Sequence, residues 1–163
     1  MQKNITKFTV ISDTHGKATG KISQLLPEIN SSDFLVHLGD GANDLDQFIN
    51  KITCDVYRVG GNCDFDSNYS TDLTIDTDAG KILFTHGHTH SVRYGDLTSL
   101  YLYALQNNCV AAFYGHTHIA YTGIKNGIVL INPGSLGEPR SISASYCSVT
   151  IEHGILNPKI VLF

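Results

Sequence analysis

The sequence predicts an α/β domain in which two sheets pack face to face with helices outside. Apolar, strand-like runs recur along the whole chain, and in the first half they alternate with helical patterns. The second half turns to strands joined by hairpin signals such as Lys125-Asn126-Gly127. At 163 residues, one domain spanning 1–163 with room for a real core is expected.

The elements follow in order. Phe8-Thr9-Val10-Ile11-Ser12 is the first strand, and Thr19 to Asn30 reads as a helix disturbed by Pro27. Phe34 to Leu38 is the second strand; Asn43 or Asp44 then offers a cap for a helix through Lys51. Val56 to Val59 is the third strand. This β-α-β-α-β order favours parallel strands with right-handed crossovers. From Tyr69 the character changes: Thr71 to Asp76 alternates polar and apolar, as a half-exposed strand does. Asp78-Ala79-Gly80-Lys81 reads as a hairpin turn into a strand over Ile82 to Thr85. A helix over Asp96 to Asn108 would carry Leu97, Leu100, Tyr101, Ala104 and Leu105 on one side. Val110 to Tyr114 is a further strand, and Glu152-His153-Gly154 marks another turn.

Composition narrows the function classes. Hydrophobic residues make up 42% and charged residues 16%, below the usual charged share of about 25%, which excludes a disordered chain. The formal charge is −4 and no basic run occurs, so no extended nucleic-acid-binding face is expected. No apolar run approaches the roughly 20 residues of a membrane span. Met1 to Lys7 has no signal-like apolar core, so a cytoplasmic protein without a membrane partner is expected. Cys54, Cys63, Cys109 and Cys147 are scattered without a C-x-x-C pair. The first, third and fourth are expected in strands, buried and inert.

Five of the strand-like runs end in metal-ligand types. The first runs into Asp13 and His15, the second into Gly39-Asp40, the third into Gly60-Gly61-Asn62. Ile82 to Thr85 runs into His86, and Val110 to Tyr114 into Gly115-His116-Thr117-His118. Taken singly, each is ordinary: a turn Asp, a Gly-Asn turn, a structural His. Together they matter, because ligands of α/β sheets bind outside the carboxyl ends of strands. Seven ligand types exceed the four that one zinc ion takes and suit a two-metal centre. Asp40 is the natural bridge, one oxygen to each cation, and Asn62 offers an oxygen without charge. In His86-Gly87-His88, alternate histidines at a strand end would point the same way.

The order Asp-x-His, Gly-Asp, Gly-Asn, His and Gly-His-x-His, followed by Asn132-Pro133-Gly134-Ser135, resembles the calcineurin-like metallophosphoesterase superfamily from Phe8 to about Gly137. The short, insertion-free form is similar to its small YfcE-like phosphodiesterase group. The resemblance implies a four-layer α-β-β-α sandwich of two mixed sheets flanked by helices. It assigns Asp13, His15, Asp40 and His118 to one metal and Asp40, Asn62, His86 and His116 to the other. It implies hydrolysis of a small phosphodiester by a metal-bridging hydroxide, with no covalent phosphoryl-enzyme. Manganese is the first expectation, and iron, nickel or zinc also suit mixed nitrogen and oxygen ligands. A monomer or homodimer is expected.

The chain departs from the family pattern at Gly61-Asn62-Cys63-Asp64, where many members have His after the Asn. A thiol with a reference pKa of about 8.5 is a weak donor and cannot inherit the imidazole's role toward the leaving oxygen. His88 is the candidate substitute, and Cys63, Asp64 and His88 join Asp40 and Asn62 as candidate catalytic residues. Arg140 is a candidate for a bidentate phosphate contact. His37 is expected to be structural and His90 peripheral, while His153 has no visible partner at the site. Tyr94, Tyr101 and Tyr103 fit a pocket wall or helix packing equally. Two other readings compete. A non-catalytic metal-binding scaffold of this fold, like the small retromer subunit, is weighed against by the complete ligand set. A metallo-β-lactamase-like His-x-His-x-Asp-His pattern fails, because His90 and Ser91 stand at its fifth and sixth positions.

Overall fold

The computed structural model describes residues 5–65 and 67–163, so the first four residues of the opening segment lie outside it. The strands are β1 (Ile5–Ile11), β2 (Phe34–His37), β3 (Asp55–Arg58), β4 (Asp72–Thr77), β5 (Gly80–Thr85), β6 (Cys109–Tyr114), β7 (Tyr121–Lys125), β8 (Ile128–Asn132), β9 (Ser145–Glu152) and β10 (Ile155–Leu162). Two α-helices, α1 (Thr19–Asn30) and α2 (Thr98–Gln106), accompany them. One sheet has the order β10-β9-β1-β2-β3 and the other β4-β5-β6-β8-β7. β1, β2 and β3 pair in parallel, as do β5, β6 and β8, while the hairpin partners pair antiparallel. Both sheets are therefore mixed.

Alternation along each central strand builds the layers. Phe8, Phe34, Phe84 and Phe113 point between the sheets, where Phe8 stacks on Phe34 at 4.6 Å and Phe84 on Phe113 at 5.2 Å between ring centroids. Ile11 and Leu35 face the other way, against Ile22, Leu25 and Ile29 of α1. Leu83, Ala112 and Tyr114 meet Leu100, Tyr101 and Ala104 of α2. Strands buried on both faces read as unbroken apolar runs, which is why β2 and β6 were visible as such. The four-layer sandwich with outer helices is confirmed.

Several local expectations change. The segment after β2 is a 3-10 helix over Ala42–Phe48, entered through Gly41 at φ 109°, with no side-chain cap. Asn43 and Asp44 cannot cap it because they serve other loops: Asn43 Oδ1 accepts from the Tyr69 hydroxyl and Asp44 Oδ2 from Gly16 N–H. α1, by contrast, has the expected bounds, running through Pro27 to Asn30. α2 is two residues shorter at each end than its pattern suggested, and the Asp96 carboxylate accepts the Thr98 N–H at its start. Cys109 and Cys147 are buried strand residues, but Cys54 lies just ahead of β3 and is only half-buried. Asn126-Gly127 and His153-Gly154 form the hairpin turns expected of them, all four residues at positive φ.

Candidate metal centre

The carboxyl ends of β1, β2, β3, β5 and β6 bring their loops together. Backbone bonds lace the loops: Asp13 N–H to Gly39 C=O, His15 N–H to Asp40 C=O and Gly115 N–H to His86 C=O, each 3.0 Å. The approach is close enough that a Cβ on Gly61 would collide with the Asp40 carboxylate, and one on Gly115 with Ser12 Oγ. Of the nine described non-glycine residues at positive φ, five are Asp13, His15, Asp40, His116 and His118. Such backbone is uncommon for these side chains and collects at sites where neighbouring contacts hold it.

Two triads of ligand atoms result. Asp13, His15 and His118 form one and Asp40, His86 and His116 the other, each with its atoms within 4.8 Å of one another. Asp13 Oδ1 stands 3.2 Å from both His86 Nε2 and His118 Nε2, and Asp40 Oδ2 stands 3.4 Å from His86 Nε2 and 3.8 Å from His15 Nε2. Ligands about 2.1 Å from one cation and set at 90–110° lie about 3.0–3.4 Å apart, so the spacings fit shared cations. Asp13, Asp40 and His86 are at most 2% exposed. Buried carboxylates facing imidazole nitrogens call for cationic compensation. The residues fit the implied divalent ions.

The remaining atoms of these ligands are occupied. Asp13 Oδ2 accepts from Ser12 Oγ (2.6 Å) and His116 N–H (3.1 Å). Burial opposes the Asp13 charge, but hydrogen bonds from His118, His86 and Ser12 outweigh it and hold this carboxyl well below its ordinary range. Asp40 Oδ1 accepts the Cys63 N–H at 2.7 Å. Oδ2 is the Asp40 oxygen that faces His15 of one triad and His86 of the other. His118 Nδ1 donates to Glu138 C=O at 2.6 Å, which leaves Nε2 as its ligand atom. Asn132 Nδ2 donates to Gly115 C=O and Thr117 Oγ1, and Ser135 Oγ donates to Asp13 C=O. The Asn-Pro-Gly-Ser turn therefore supports the metal loops.

Two expected catalytic candidates, Asp64 and His88, pack behind the metal ligands, while Cys63 lies at the site. Asp64 receives four backbone N–H groups, from Asp40, Gly41 and Gly61 at 2.8 Å and from Ala42 at 3.3 Å. It is a positioning residue that ties the β3 loop to Asp40. His88 does not sit on a strand beside His86: β5 ends at Thr85, Gly87 turns at φ 97°, and His88–His90 is a 3-10 turn. Its Nδ1 lies 3.0 Å from His86 Nδ1, so His88 orients that ring rather than facing the reacting groups. Cys63 is exposed and groups with His15 and Asp40. Partial burial and the Asp40 carboxylate push its thiol up to about 11, so it stays protonated at neutral pH. Asn62 lines the metal cavity, with its amide nitrogen 3.4 Å from the Cys63 sulfur.

Arg93, Glu138 and Arg140 line that cavity too. Arg140 was anticipated, but Arg93 and Glu138 carry no motif. Their only sequence signal is nearness to the His88–His90 and Asn132–Ser135 segments. Among the other histidines, His37 is structural: it accepts Gly39 N–H on Nδ1 and pairs with Thr14 Oγ1 through Nε2. His90 is buried against Tyr103 and bonded to Asp72, and His153 lies away at the β9–β10 turn.

Comparison with known proteins decides the family: residues 7–154 match the calcineurin-like phosphoesterase superfamily domain. The chain belongs to this superfamily. It is 32% identical to a probable metallophosphoesterase of Bacillus subtilis over 146 residues, covering 88% of this chain and 83% of the relative. It is 34% identical to one of Mycoplasma genitalium over 151 residues, covering 89% and 87%. A predicted phosphoesterase from Streptococcus pneumoniae shares the fold at TM-score 0.80 and 23% identity, over 97% of this chain and 90% of that one. The Escherichia coli phosphoesterase Yfce does so at TM-score 0.68 and 24% identity, over 93% and 91%. Vps29 of Entamoeba histolytica, solved with zinc, does so at 0.73 and 20%, over 96% and 99%. The superfamily depends on divalent metals, and the buried Asp and His cluster is this member's candidate site. Among the described residues no helix is long and apolar enough to cross a membrane.

Proposed function

We propose that this phosphoesterase superfamily member is a two-metal phosphodiesterase acting on a small phosphodiester. The observation that carries this is the closeness of two ligand triads: Asp40 Oδ2 lies 3.4 Å from His86 Nε2 of its own triad and 3.8 Å from His15 Nε2 of the other. Two divalent cations held there, manganese being our first choice, would activate water and neutralise charge on the phosphate oxygens. The chain's own residues do the rest. Asp64 and the backbone lacing fix Asp40, while His88 and Glu138 set the rings of His86 and His118. Arg93 and Arg140 flank a cavity of about 250 Å³ and offer cationic donors to phosphate oxygens. Cys63, a neutral thiol where an imidazole is common, gives weak help to a departing oxygen. This favours diesters with good leaving groups over alkyl monoesters.

The likeness to Vps29 keeps a partner-binding scaffold as the second reading. The full set of Asp13, His15, Asp40, Asn62, His86, His116 and His118 favours the enzyme. Asp40→Asn or His116→Ala should lower metal-dependent hydrolysis of a chromogenic diester by about 10²–10³-fold or more. Circular dichroism should remain that of the parent. Full activity in a folded Asp40→Asn protein would overturn the bridging assignment.

A further inference from the structure

A second cavity, of about 440 Å³, adjoins the metal cavity, and Arg93 lines both. Thr117, between the ligands His116 and His118, lines it as well, so the cavity opens beside the metal loops. Its size falls within the range of about 300–1,000 Å³ usual for small-molecule sites. Its other walls are aromatic and apolar, including Tyr94, Tyr114, Tyr121 and Ile119. Tyr94 is 88% exposed, Ile119 50% and Tyr121 43%. Large apolar side chains left in water around a cavity beside polar groups mark a ligand site.

The placement of Arg93 and Tyr94 is built in. They belong to a single 3-10 turn, Val92–Tyr94, bracketed by Ser91 and Gly95 at positive φ. Val92 is fully buried with α2, which anchors the turn and leaves the next two side chains outward. The Arg93 guanidinium lies 5.8 Å from the Tyr94 ring centroid, so cation and aromatic wall form one unit at the junction of the two cavities.

We propose that this cavity is a substrate subsite for a planar aromatic ring carried on one ester arm, with Arg93 at the junction facing the phosphate. The proposal rests on the phosphoesterase reading and adds the substrate's chemical class. A nucleobase and a simple aryl group share the required chemistry, a flat π face that stacks on tyrosine.

Calorimetric titration of the manganese-loaded protein with inorganic phosphate, ribose 5-phosphate, phenyl phosphate and adenosine 5′-monophosphate tests this. One or both aromatic ligands should bind about tenfold more tightly than ribose 5-phosphate, equivalent to about 1.4 kcal/mol. A gain by both indicates any single ring; a gain by the nucleotide alone indicates a nucleobase. The Tyr94→Ala/Tyr121→Ala double variant should bring the aromatic ligands to the level of ribose 5-phosphate. Phosphate binding with no aromatic preference, or a preference that survives in the double variant, would overturn the subsite alone. Failure of the parent to bind any of the four ligands would overturn the phosphoesterase reading, and the subsite with it.

Discussion

Asp64→Asn is the perturbation whose consequences the structure specifies best. The carboxylate accepts Asp40 and Gly61 N–H on Oδ2 and Gly41 N–H on Oδ1, each at 2.8 Å. An amide can keep its oxygen toward the first two donors, but its NH₂ then confronts the Gly41 N–H. Two bonds to a charged acceptor are lost, the Gly41 bond and the longer 3.3 Å bond from Ala42 N–H, and two lose their charge, against about 1.5–3 kcal/mol for a well-formed bond of this kind. Asp64 is only half-buried, so water recovers part of this, and a net loss of about 2 kcal/mol is expected. With a urea slope of about 2 kcal/mol/M, the unfolding midpoint of the metal-free protein should fall by about 1 M. Manganese affinity should fall by about tenfold or more, because the Asp40 N–H keeps only a neutral acceptor and the neighbouring Gly41 N–H loses its own. Urea unfolding and metal titration of parent and variant measure both. An unchanged midpoint and metal affinity alongside lost turnover would refute the positioning role and restore Asp64 to the chemistry.

Further outcomes follow from the same geometry. Burial lowers the His37 pKa from 6.5 to about 4. The unfolded chain thus takes up a proton that the folded chain refuses, and stability falls as pH drops from about 6.5 toward 4, by about 3 kcal/mol in full. His37→Gln should be less stable at neutral pH but show a flatter profile across that window; denaturation of metal-free protein at pH 7 and 4.5 reads the difference, and parallel profiles would contradict it. His88→Ala should weaken manganese binding by about 10–100-fold through the His86 ring. A fall in kcat at saturating metal with unchanged affinity would instead make His88 a donor. Cys63→His should raise kcat/KM for esters with poor leaving groups more than for nitrophenyl esters, and no selective gain would remove the thiol from the account of specificity.

The site was legible wherever a buried strand ran directly into a ligand type. β2 and β6 are largely apolar runs and β1 is buried over its last four residues, so their ends at Asp13, Asp40 and His116 could be placed by periodicity and composition alone. The loops beyond were harder. The 3-10 turns at Ala42–Phe48 and His88–His90 have too few residues for a helical period, and the turn at Gly87 breaks the strand alternation that seemed to align His86 with His88. Asp64 looked catalytic because sequence shows a carboxylate beside Asn62 but not the four N–H groups that converge on it from two loops. The same limit applies to Asp40, since only the folded loops show that Oδ1 accepts the Cys63 N–H while Oδ2 faces His15 and His86. Arg93 was missed because its place depends on Val92 being buried under α2, a tertiary contact with no local pattern.

The most direct test of the two-metal phosphodiesterase is hydrolysis of bis(4-nitrophenyl) phosphate and 4-nitrophenyl phosphate by chelator-stripped protein, before and after graded addition of Mn²⁺. Turnover that returns as two metal equivalents bind, with the diester favoured, is the predicted result. Tight binding of both equivalents with no turnover of either ester would contradict it and point to a metal-bearing scaffold.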